Sequence, residues 1–445
     1  MCAAFLLPPG RPFMIEASPD RSRPLPTSNS SGTTTFHEET RVRATPNAPQ
    51  ETPAGLDPVD GIVDQRGEQY FLRTQGYAPG PQDAYLPPPL VRRLGLRPGD
   101  RIVGTLRAGD GQAPKKSGGR QGQGKAQSKP QGNRPRPVET VETVNGRDPE
   151  LARRRPEFYD LTPVHPHERL RLETDPRLLT TRVIDLVMPI GKGQRALIVS
   201  PPKAGKTIVL KAVAQSVLRN NPECHVMVLL IDERPEEVTD LKRSVKGEII
   251  ASPFDRPAQD HTAVAELAVE RAKRLVELGR DVVIVMDSLT RLGRAYNNTA
   301  GGNSRTLSGG VGASALAPPK RLLGAARAID GGGSLTIIAS ALVDTGSRGD
   351  TLIYEEFKGT GNAELTLDRA SADGRIFPAV DLNASGTRNE HLLMQPDELA
   401  AVHLLRRALA GRETVQALPQ LLDQLARTGS NAEFLLRTAG HARVG

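Results

Sequence analysis

The stretch Ser200-Pro201-Pro202-Lys203-Ala204-Gly205-Lys206-Thr207 decides the fold of this chain, because it joins two segments of different periodicity. The apolar run at residues 196–199 is typical of a buried strand, whereas residues 208–218, from Ile208 onward, carry apolar side chains at helical spacing. Strand, glycine-containing loop and helix in this order form the context of a P-loop. The sequence therefore predicts a nucleoside triphosphate site, with Lys206 directed at the β- and γ-phosphates and Thr207 as a Mg²⁺ ligand.

Length, charge and cysteine usage narrow the class of protein. The chain has 445 residues, room for two or three domains, and its net charge of +8 favours a polyanionic partner. Its two cysteines are too few for a disulfide framework, so we expect a reducing, cytoplasmic location. No apolar run approaches the roughly 20 residues of a membrane span, and the cluster at residues 5–7 is too short for a signal-peptide core.

Residue composition and the spacing of apolar residues divide the sequence into four regions. Residues 1–56 are rich in Pro, Ser and Thr without a periodic apolar face, which predicts a disordered tail. Short alternating runs separated by Gly, Pro and Asp predict a small β-barrel at 57–146. A charged connector follows at 147–180, and an α/β domain is expected at 181–445.

A basic low-complexity insert, residues 111–137, interrupts the predicted barrel between its last two strands. It carries seven Lys or Arg residues and no acidic residue. Such a composition cannot bury a core. The insert is either a solvated linker or a weak electrostatic contact for nucleic acid.

Alternating apolar strands and amphipathic helices in the last region predict a mainly parallel sheet that is covered on both faces. Strands are expected at residues 196–200, 225–231, 248–252, 281–287, 334–342 and 364–368. Helices are expected at residues 206–219, 236–243, 260–278, 318–329, 397–409 and 414–427.

Asp287 ends the apolar strand predicted at 281–287. An aspartate in this place is often only a cap, but downstream of a P-loop it is expected to hold Mg²⁺, usually through a water.

A dense group of charges follows the strand predicted at 225–231 and offers candidates for the residue that activates water. Glu236 and Glu237 are more simply explained as first-turn acids of a helix that begins after a proline. Of the remaining acids, Asp232 and Glu233, we expect Glu233 to take this role.

Two Gly-rich segments after Asp287 each carry an arginine among small residues, Arg305 in 297–312 and Arg348 in 344–350. They are either mobile surface loops or contacts to a phosphodiester backbone. Arg388, in a further polar loop, is either a solvated side chain or an arginine finger for a neighbouring subunit.

In the predicted barrel, aromatic side chains are scarce enough to stand out. Tyr70 and Phe71 lie shortly before Arg73, and Tyr85 follows in the next run. Aromatic rings with an arginine on a barrel face bind single strands by stacking, although ordinary barrel core explains any one ring equally simply.

In this order, the motifs resemble the family of bacterial transcription termination factor Rho, ring-shaped ATP-dependent RNA helicases. The resemblance runs from about residue 59 to the C-terminus, apart from the insert. The strings that carry it are Ser200-Pro-Pro-Lys-Ala-Gly-Lys-Thr207, Leu230-Ile-Asp-Glu-Arg-Pro-Glu-Glu-Val-Thr239, Asp287-Ser-Leu-Thr-Arg-Leu-Gly-Arg-Ala-Tyr-Asn297 and Tyr354-Glu-Glu-Phe-Lys-Gly-Thr-Gly-Asn362.

The resemblance implies an α/β fold with a RecA-like P-loop ATPase core and an N-terminal OB/cold-shock-like β-barrel. It implies a cytoplasmic homohexamer that binds ATP and Mg²⁺ between subunits and is an RNA-dependent ATPase and 5′-to-3′ RNA helicase. Its partners would be single-stranded, pyrimidine-rich nascent RNA, RNA polymerase and transcription elongation factors, and its function transcription termination.

The resemblance also implies roles for individual residues. The nucleotide would be held by the loop residues Pro202, Lys203, Ala204, Gly205, Lys206, Thr207 and Ile208 together with Asp287, Arg234 and Phe377. Glu233 would activate water, and Arg375 and Arg388 would reach the site from the adjoining subunit. RNA would contact Phe71, Arg73, Asp83 and Tyr85 in the barrel and Arg305, Thr345 and Arg348 in two central-channel loops, 300–312 and 344–350.

Some positions depart from the family pattern. Gln69 stands where a second stacking aromatic is common, the last barrel strand at 138–144 has no aromatic, and Arg305 replaces the usual lysine. Two other functions remain open: a hexameric ATPase of the ATP synthase catalytic-subunit type, and an RNA-binding protein with a vestigial ATPase.

Overall fold

The computed structural model describes residues 56–107, 135–300 and 307–442. The predicted tail, most of the basic insert and Arg305 lie outside the described residues. Within those ranges, no helix combines the length and the apolar character that crossing a membrane requires.

The first sheet is a small antiparallel barrel. Its strands, in the spatial order β3-β2-β1-β4-β5, are β1 (Asp57–Arg66), β2 (Gln69–Arg73), β3 (Ala84–Leu86), β4 (Arg101–Leu106) and β5 (Val138–Val144), with α1 (Pro88–Leu94) between β3 and β4. Alternate residues such as Val63 and Leu72 are fully buried inside. The backbone N–H of Tyr85 donates to the Arg136 carbonyl at 2.8 Å, so β3 also contacts the chain that leads into β5. The predicted OB-like barrel is confirmed.

A connector leads from the barrel to the second sheet. Its elements are α2 (Pro149–Arg153), β6 (Pro163–Val164), β7 (Arg169–Leu170), α3 (Leu179–Val187) and β8 (Ile190–Gly191). Arg155, just after α2, forms ion pairs with Asp100 of the barrel and Glu277 of the α/β domain, and all three side chains are almost completely buried. The barrel is thus anchored to the α/β domain by a buried charge network.

The second sheet is mainly parallel, as its apolar strands predict. Its strands are β9 (Arg195–Ser200), β10 (His225–Ile231), β11 (Glu248–Ser252), β12 (Asp281–Asp287), β13 (Arg327–Ile329), β14 (Ser334–Leu342), β15 (Ala363–Thr366) and β16 (Gly386–Thr387). The order is β11-β10-β12-β14-β9-β15-β16, in which β16 is antiparallel to β15, and β13 pairs antiparallel with β14.

Helices cover both faces of this sheet. They are α4 (Lys206–Asn220), α5 (Pro235–Ser244), α6 (Ala258–Val276), α7 (Leu289–Thr299), α8 (Ala313–Gly324), α9 (Arg348–Lys358), α10 (Arg369–Asp373), α11 (Pro396–Leu409), α12 (Thr414–Ala426) and α13 (Asn431–Ala442). Because strand side chains alternate, Val228 and Leu230 pack in the layer with α4, while Met227 and Leu229 pack in the layer with α6. Both core layers therefore meet on β10.

The helix predicted at 318–329 is wrong in its bounds. Helix α8 begins at Ala313 and ends at Gly324, and residues Arg327–Ile329 form strand β13 instead. Strand β13 pairs with β14 on one side and β6 on the other. Tertiary pairing therefore overrides the helical spacing of the apolar residues.

Candidate functional site

The P-loop lies where the sequence places it, between β9, which ends at Ser200, and α4, which begins at Lys206. Lys203 and Gly205 have φ values of 67° and 93°. Left-handed residues inside such a loop turn successive N–H groups toward one concave side, which is suited to an anion. The helix N-terminus adds its positive dipole end to the same place.

Lys206 is the charged centre of this site. Its Nζ lies 3.1 Å from Glu233 Oε1 and also forms an ion pair with Asp287. The Ser340 hydroxyl donates to Asp287 Oδ1 at 2.8 Å. Strand β12, which ends at Asp287, lies between β10 and β14, so the three neighbouring strand ends supply these groups.

Glu233 is almost completely buried, and its pKa is raised to about 7. Burial is the largest cause and the negative charge of Asp287 is the second, while Lys206 and Arg291 act in the opposite direction. A carboxylate with a pKa near neutrality suits general-base catalysis at physiological pH.

Arg291 belongs to this site, although the sequence assigned it no role within the quoted string 287–297. Its Nε lies 3.4 Å from Glu233 Oε1, and its Nη1 contacts the backbone and the carboxylate of Asp232. It lies in the first turn of α7, whose N-terminus is capped by the Ser288 hydroxyl. Arg291 therefore contacts both acids, but of the two only Glu233 also forms an ion pair with Lys206, which favours Glu233 as the base.

Glu237 lies in the first turn of α5, as its position after Pro235 predicts, and its Oε2 is also 3.5 Å from the Thr207 hydroxyl. The sequence offers this residue as a candidate for water activation but explains it more simply as a first-turn acid of the helix. Thr207, Asp287 and Glu237 offer a hydroxyl and two carboxylates, and Mg²⁺ prefers such oxygen ligands. The residues present therefore fit the ion.

Other predicted nucleotide residues line the mouth of the site. Phe377 is 43% exposed, and a Cβ built on Gly205 would lie 3.5 Å from its ring. Ile208 is 63% exposed in the first turn of α4. Lys203 and Arg234 are also exposed, and Arg234 precedes the first residue of α5. Phe377 thus offers an accessible ring directly beside the P-loop.

Arg375 and Arg388 are predicted to act on the site of a neighbouring subunit. Arg375 and Arg388 are both exposed. Among the described residues, neither side chain takes part in a hydrogen bond or an ion pair, whereas the Arg388 backbone N–H donates to the Asn362 carbonyl at 2.8 Å. Within one chain, neither guanidinium forms a hydrogen bond or an ion pair with the P-loop residues that the structure describes.

The two predicted channel loops meet at their described ends. A Cβ built on Gly309 would lie 2.6 Å from the backbone nitrogen of Gly349, so the two segments touch through glycine backbones. Thr345 is already engaged, because its hydroxyl donates to Asp350 Oδ2 at 2.6 Å. Arg348 is the first residue of α9. Arg305 cannot be placed, since it is outside the described residues.

Of the predicted RNA residues in the barrel, Phe71 and Tyr85 are partly exposed on one face of β2 and β3, whereas Arg73 and Asp83 are almost completely buried. Phe71 pairs with Tyr85 across the strands, with ring centroids 6.3 Å apart. Arg73 Cζ is 5.4 Å from the Phe71 centroid, and its buried guanidinium forms ion pairs with Asp64 and Asp83. Tyr70 alternates to the other face and packs on the barrel core, so its core explanation is correct.

Two family models match the chain. Residues 59–150 match the Rho termination factor RNA-binding domain. Residues 180–387 match the nucleotide-binding domain of the ATP synthase alpha/beta family. The first match covers the barrel and the second covers β9 to β16.

Relatives match over most of the chain. Transcription termination factor Rho of Mycobacterium tuberculosis is 58% identical over 385 residues, which is 86% of this chain and 62% of the relative. Transcription termination factor Rho of Streptosporangium roseum is 54% identical over 395 residues, which is 88% of this chain and 95% of the relative. The chain thus spans less than two thirds of the mycobacterial protein but nearly all of the Streptosporangium one.

A solved structure shares the fold. It is the assembled type III secretion ATPase EscN of enteropathogenic E. coli, with a TM-score of 0.54 at 21% identity, over 68% of this chain and 77% of EscN. At that identity the likeness concerns the fold alone.

Proposed function

Because the chain belongs to the family of transcription termination factor Rho, we propose that it is an RNA-dependent ATPase that moves along nascent RNA and terminates transcription. The observation that carries the proposal is the 54% identity to a Rho protein over 95% of that protein's length. The nucleotide site also supports the proposal, because Lys206 forms ion pairs there with both Glu233 and Asp287.

Nucleotide binding is assigned to the P-loop and the exposed ring beside it. The backbone of residues 202–207 holds the phosphates, Lys206 neutralises them, and Phe377 lies against the base. Mg²⁺, bound by Thr207 and Asp287 with Glu237 nearby, would supply charge neutralisation of the triphosphate.

Hydrolysis is assigned to Glu233. Its carboxylate accepts a proton from the attacking water, and a pKa of about 7 leaves it partly ionised at neutral pH while keeping it basic enough for the task. Arg291, whose Nε is 3.4 Å from the same carboxylate, adds a second positive charge beside it.

A homohexamer completes the site. Arg388 and Arg375 have no hydrogen-bond or ion-pair partner for their side chains among the described residues, so they are available to a nucleotide held by the adjoining subunit. An arginine finger of this kind can raise the rate ~10³–10⁵-fold. Hydrolysis then depends on the contact between subunits.

RNA is assigned to two places. The barrel face that carries the rings of Phe71 and Tyr85, beside the buried ion pair of Arg73 and Asp83, is assigned to single-stranded pyrimidines. The channel loops at 300–312 and 344–350 contact the strand being moved, in the 5′-to-3′ direction of a helicase. RNA polymerase and its elongation factors are the proposed protein partners, in the cytoplasm.

The two other functions are supported less well. An ATP synthase-type motor explains residues 180–387 but not the match of residues 59–150 to an RNA-binding domain. A vestigial ATPase is opposed by the complete set of Lys206, Glu233 and Asp287 in contact.

The test is ATP turnover with no nucleic acid, with poly(C), with poly(U) and with duplex DNA. The proposal predicts strong stimulation by the single-stranded polypyrimidines and little by the duplex. Equal turnover in all four reactions would contradict an RNA-dependent motor.

A further inference from the structure

A buried histidine of α6 lies beside the strand ends that lead into the hydrolysis site. His261 is the fourth residue of α6 and is 5% exposed. Its Nδ1 lies 2.7 Å from the hydroxyl oxygen of Ser252, which is the last residue of β11 and is also buried. Its Nε2 lies 3.9 Å from Asp232 Oδ1. The imidazole ring therefore lies between a buried hydroxyl and a carboxylate.

The two partners of His261 determine which ring nitrogen carries its proton. Burial lowers the pKa of His261, although the charge of Asp232 acts in the opposite direction. The ring is therefore neutral at physiological pH, with one N–H and one acceptor nitrogen. Because an ionised carboxylate can only accept a hydrogen bond, the N–H belongs on Nε2, which faces Asp232, and the Ser252 hydroxyl donates to Nδ1.

Asp232 has an unusual backbone conformation beside this ring. Its φ is 57°, in the left-handed region that residues with a Cβ seldom adopt. The Asp232 backbone N–H donates to the Ser252 carbonyl at 2.8 Å. The chain leaves β10 through this turn, and the next residue, Glu233, forms its ion pair with Lys206. Ser252 thus holds both the His261 ring and the backbone of Asp232.

Arg291 connects Asp232 to the proposed base. Its Nη1 donates a hydrogen bond to the Asp232 carbonyl and lies 3.4 Å from Asp232 Oδ2. Its Nε lies 3.4 Å from Glu233 Oε1. Since His261 approaches the other oxygen, Oδ1, the Asp232 carboxylate lies between a ring N–H and a guanidinium that also contacts Glu233.

We propose that His261 is a positioning residue for ATP hydrolysis, which acts through Asp232 and Arg291 on the Glu233 carboxylate. The inference rests on the proposed function and deepens it. A side chain that orients another needs its own orientation fixed, and the Ser252 hydroxyl supplies this for His261. Loss of the ring would let Asp232, and the guanidinium that it contacts, shift. A shift of about 1 Å near the reacting groups can cost 10²-fold in rate.

The test compares His261→Gln and His261→Asn in the full chain, with poly(C) present. A glutamine amide can reach the place of Nε2 beside Asp232, whereas the shorter asparagine amide reaches only the place of Nδ1 beside Ser252. His225→Asn is the matched control, because His225 is a partly buried histidine at the other end of β10 whose Nε2 lies 2.6 Å from Glu248. The readouts are kcat, KM for ATP and thermal unfolding.

We expect His261→Asn to lower kcat about 10-fold or more with little change in KM for ATP, because other residues bind the phosphates. His261→Gln should recover much of this loss, and His225→Asn should match wild type in kcat and KM. Combined with Asp232→Asn, His261→Asn should add little, since both substitutions act through the same carboxylate. If His261→Asn does not fold, Ser252→Ala takes its place, with a smaller loss of kcat expected.

Wild-type kcat in His261→Asn, with slow turnover in Glu233→Gln, would overturn the inference and leave the proposed function standing. Equal losses in His261→Gln and His261→Asn, or losses that multiply when His261→Asn is combined with Asp232→Asn, would show a general structural role and would also overturn it. Failure of poly(C) to stimulate ATP turnover by the wild-type protein would instead contradict the proposed function.

Discussion

Gly309 and Gly349 bring the two predicted channel loops into backbone contact. Gly309 has a φ of 74°, and a Cβ on it would lie 2.6 Å from the Gly349 nitrogen and 2.7 Å from the Arg348 carbonyl carbon. Neither backbone group can move aside as a flexible side chain would. The loop before α8 therefore packs directly against the first residues of α9.

This contact predicts that Gly309→Ala separates the loops and weakens RNA stimulation of ATP turnover about 10-fold or more, because a misplacement of about 1 Å can cost 10²-fold. The matched control is Gly310→Ala. Gly310 has a φ of 78° but nothing within 4 Å of a built Cβ, so it introduces similar backbone strain without the clash. Equal effects of the two substitutions on RNA stimulation would show that strain, not loop contact, is responsible.

Glu233 predicts the pH profile of the reaction. Because its pKa is about 7 and the base must be ionised, kcat/KM should rise as pH increases through about 7 and level off above it. The stability of the folded state should change with pH in the opposite direction. Because the pKa of Glu233 is raised in the folded state, its protonated form stabilises the fold, and this stabilisation is lost as pH rises through about 7. Glu233→Gln should keep ATP affinity, slow turnover about 10²–10⁴-fold and abolish the rise.

Near-normal turnover in Glu233→Gln would assign the base to Asp232 instead. The matched variant is Asp232→Asn, which should have the smaller effect, because Glu233 forms an ion pair with Lys206 and, among the ion pairs of the described residues, Asp232 does not.

The strands and the P-loop are predictable from sequence because their signals are local. Val, Ile and Leu runs ending in Asp287 or Ser200 identify buried parallel strands without knowledge of their neighbours. Arg291 and Glu237 lie inside the quoted strings 287–297 and 230–239, but local spacing does not give their contacts with Glu233 and Thr207. Ser340 was not predicted as part of the site, because it reaches Asp287 through the order of strands in the sheet. That order places β14 beside β12, and no local pattern contains it.

Phe71 and Tyr70 are adjacent in sequence but lie on opposite faces of β2, so their substitutions should have different effects. Phe71→Ala should weaken single-stranded RNA binding by about 1–3 kcal/mol with little change in salt dependence, since the substitution removes a stacking ring and no charge. Tyr70→Ala should lower the free energy of unfolding of the barrel instead, because Tyr70 packs on its core. RNA affinity and thermal unfolding of both variants check this, and a stability decrease confined to Phe71→Ala would reverse the assignment of the faces.

Deletion of the basic insert should change the salt dependence of RNA binding, which the loss of the Phe71 ring should not. Arg136 is already paired with Asp57 at 2.6 Å, so the deletion to test is 111–134, which removes six Lys or Arg residues and keeps the chain that contacts β3. The deletion should lower the salt slope of RNA binding by about 0.7 for each phosphate that the insert neutralises. Base preference should not change, because the segment has no aromatic ring. An unchanged slope would make the insert a spacer.

ATP hydrolysis at this site is proposed to release RNA from RNA polymerase. The most direct measurement is transcript release from halted elongation complexes with a pyrimidine-rich RNA, with the wild-type protein and with Lys206→Ala, which removes the cation between Glu233 and Asp287. We predict ATP-dependent release by wild type, and none by Lys206→Ala although it still binds RNA through the barrel. Release by Lys206→Ala, or release by wild type without ATP, would contradict this mechanism.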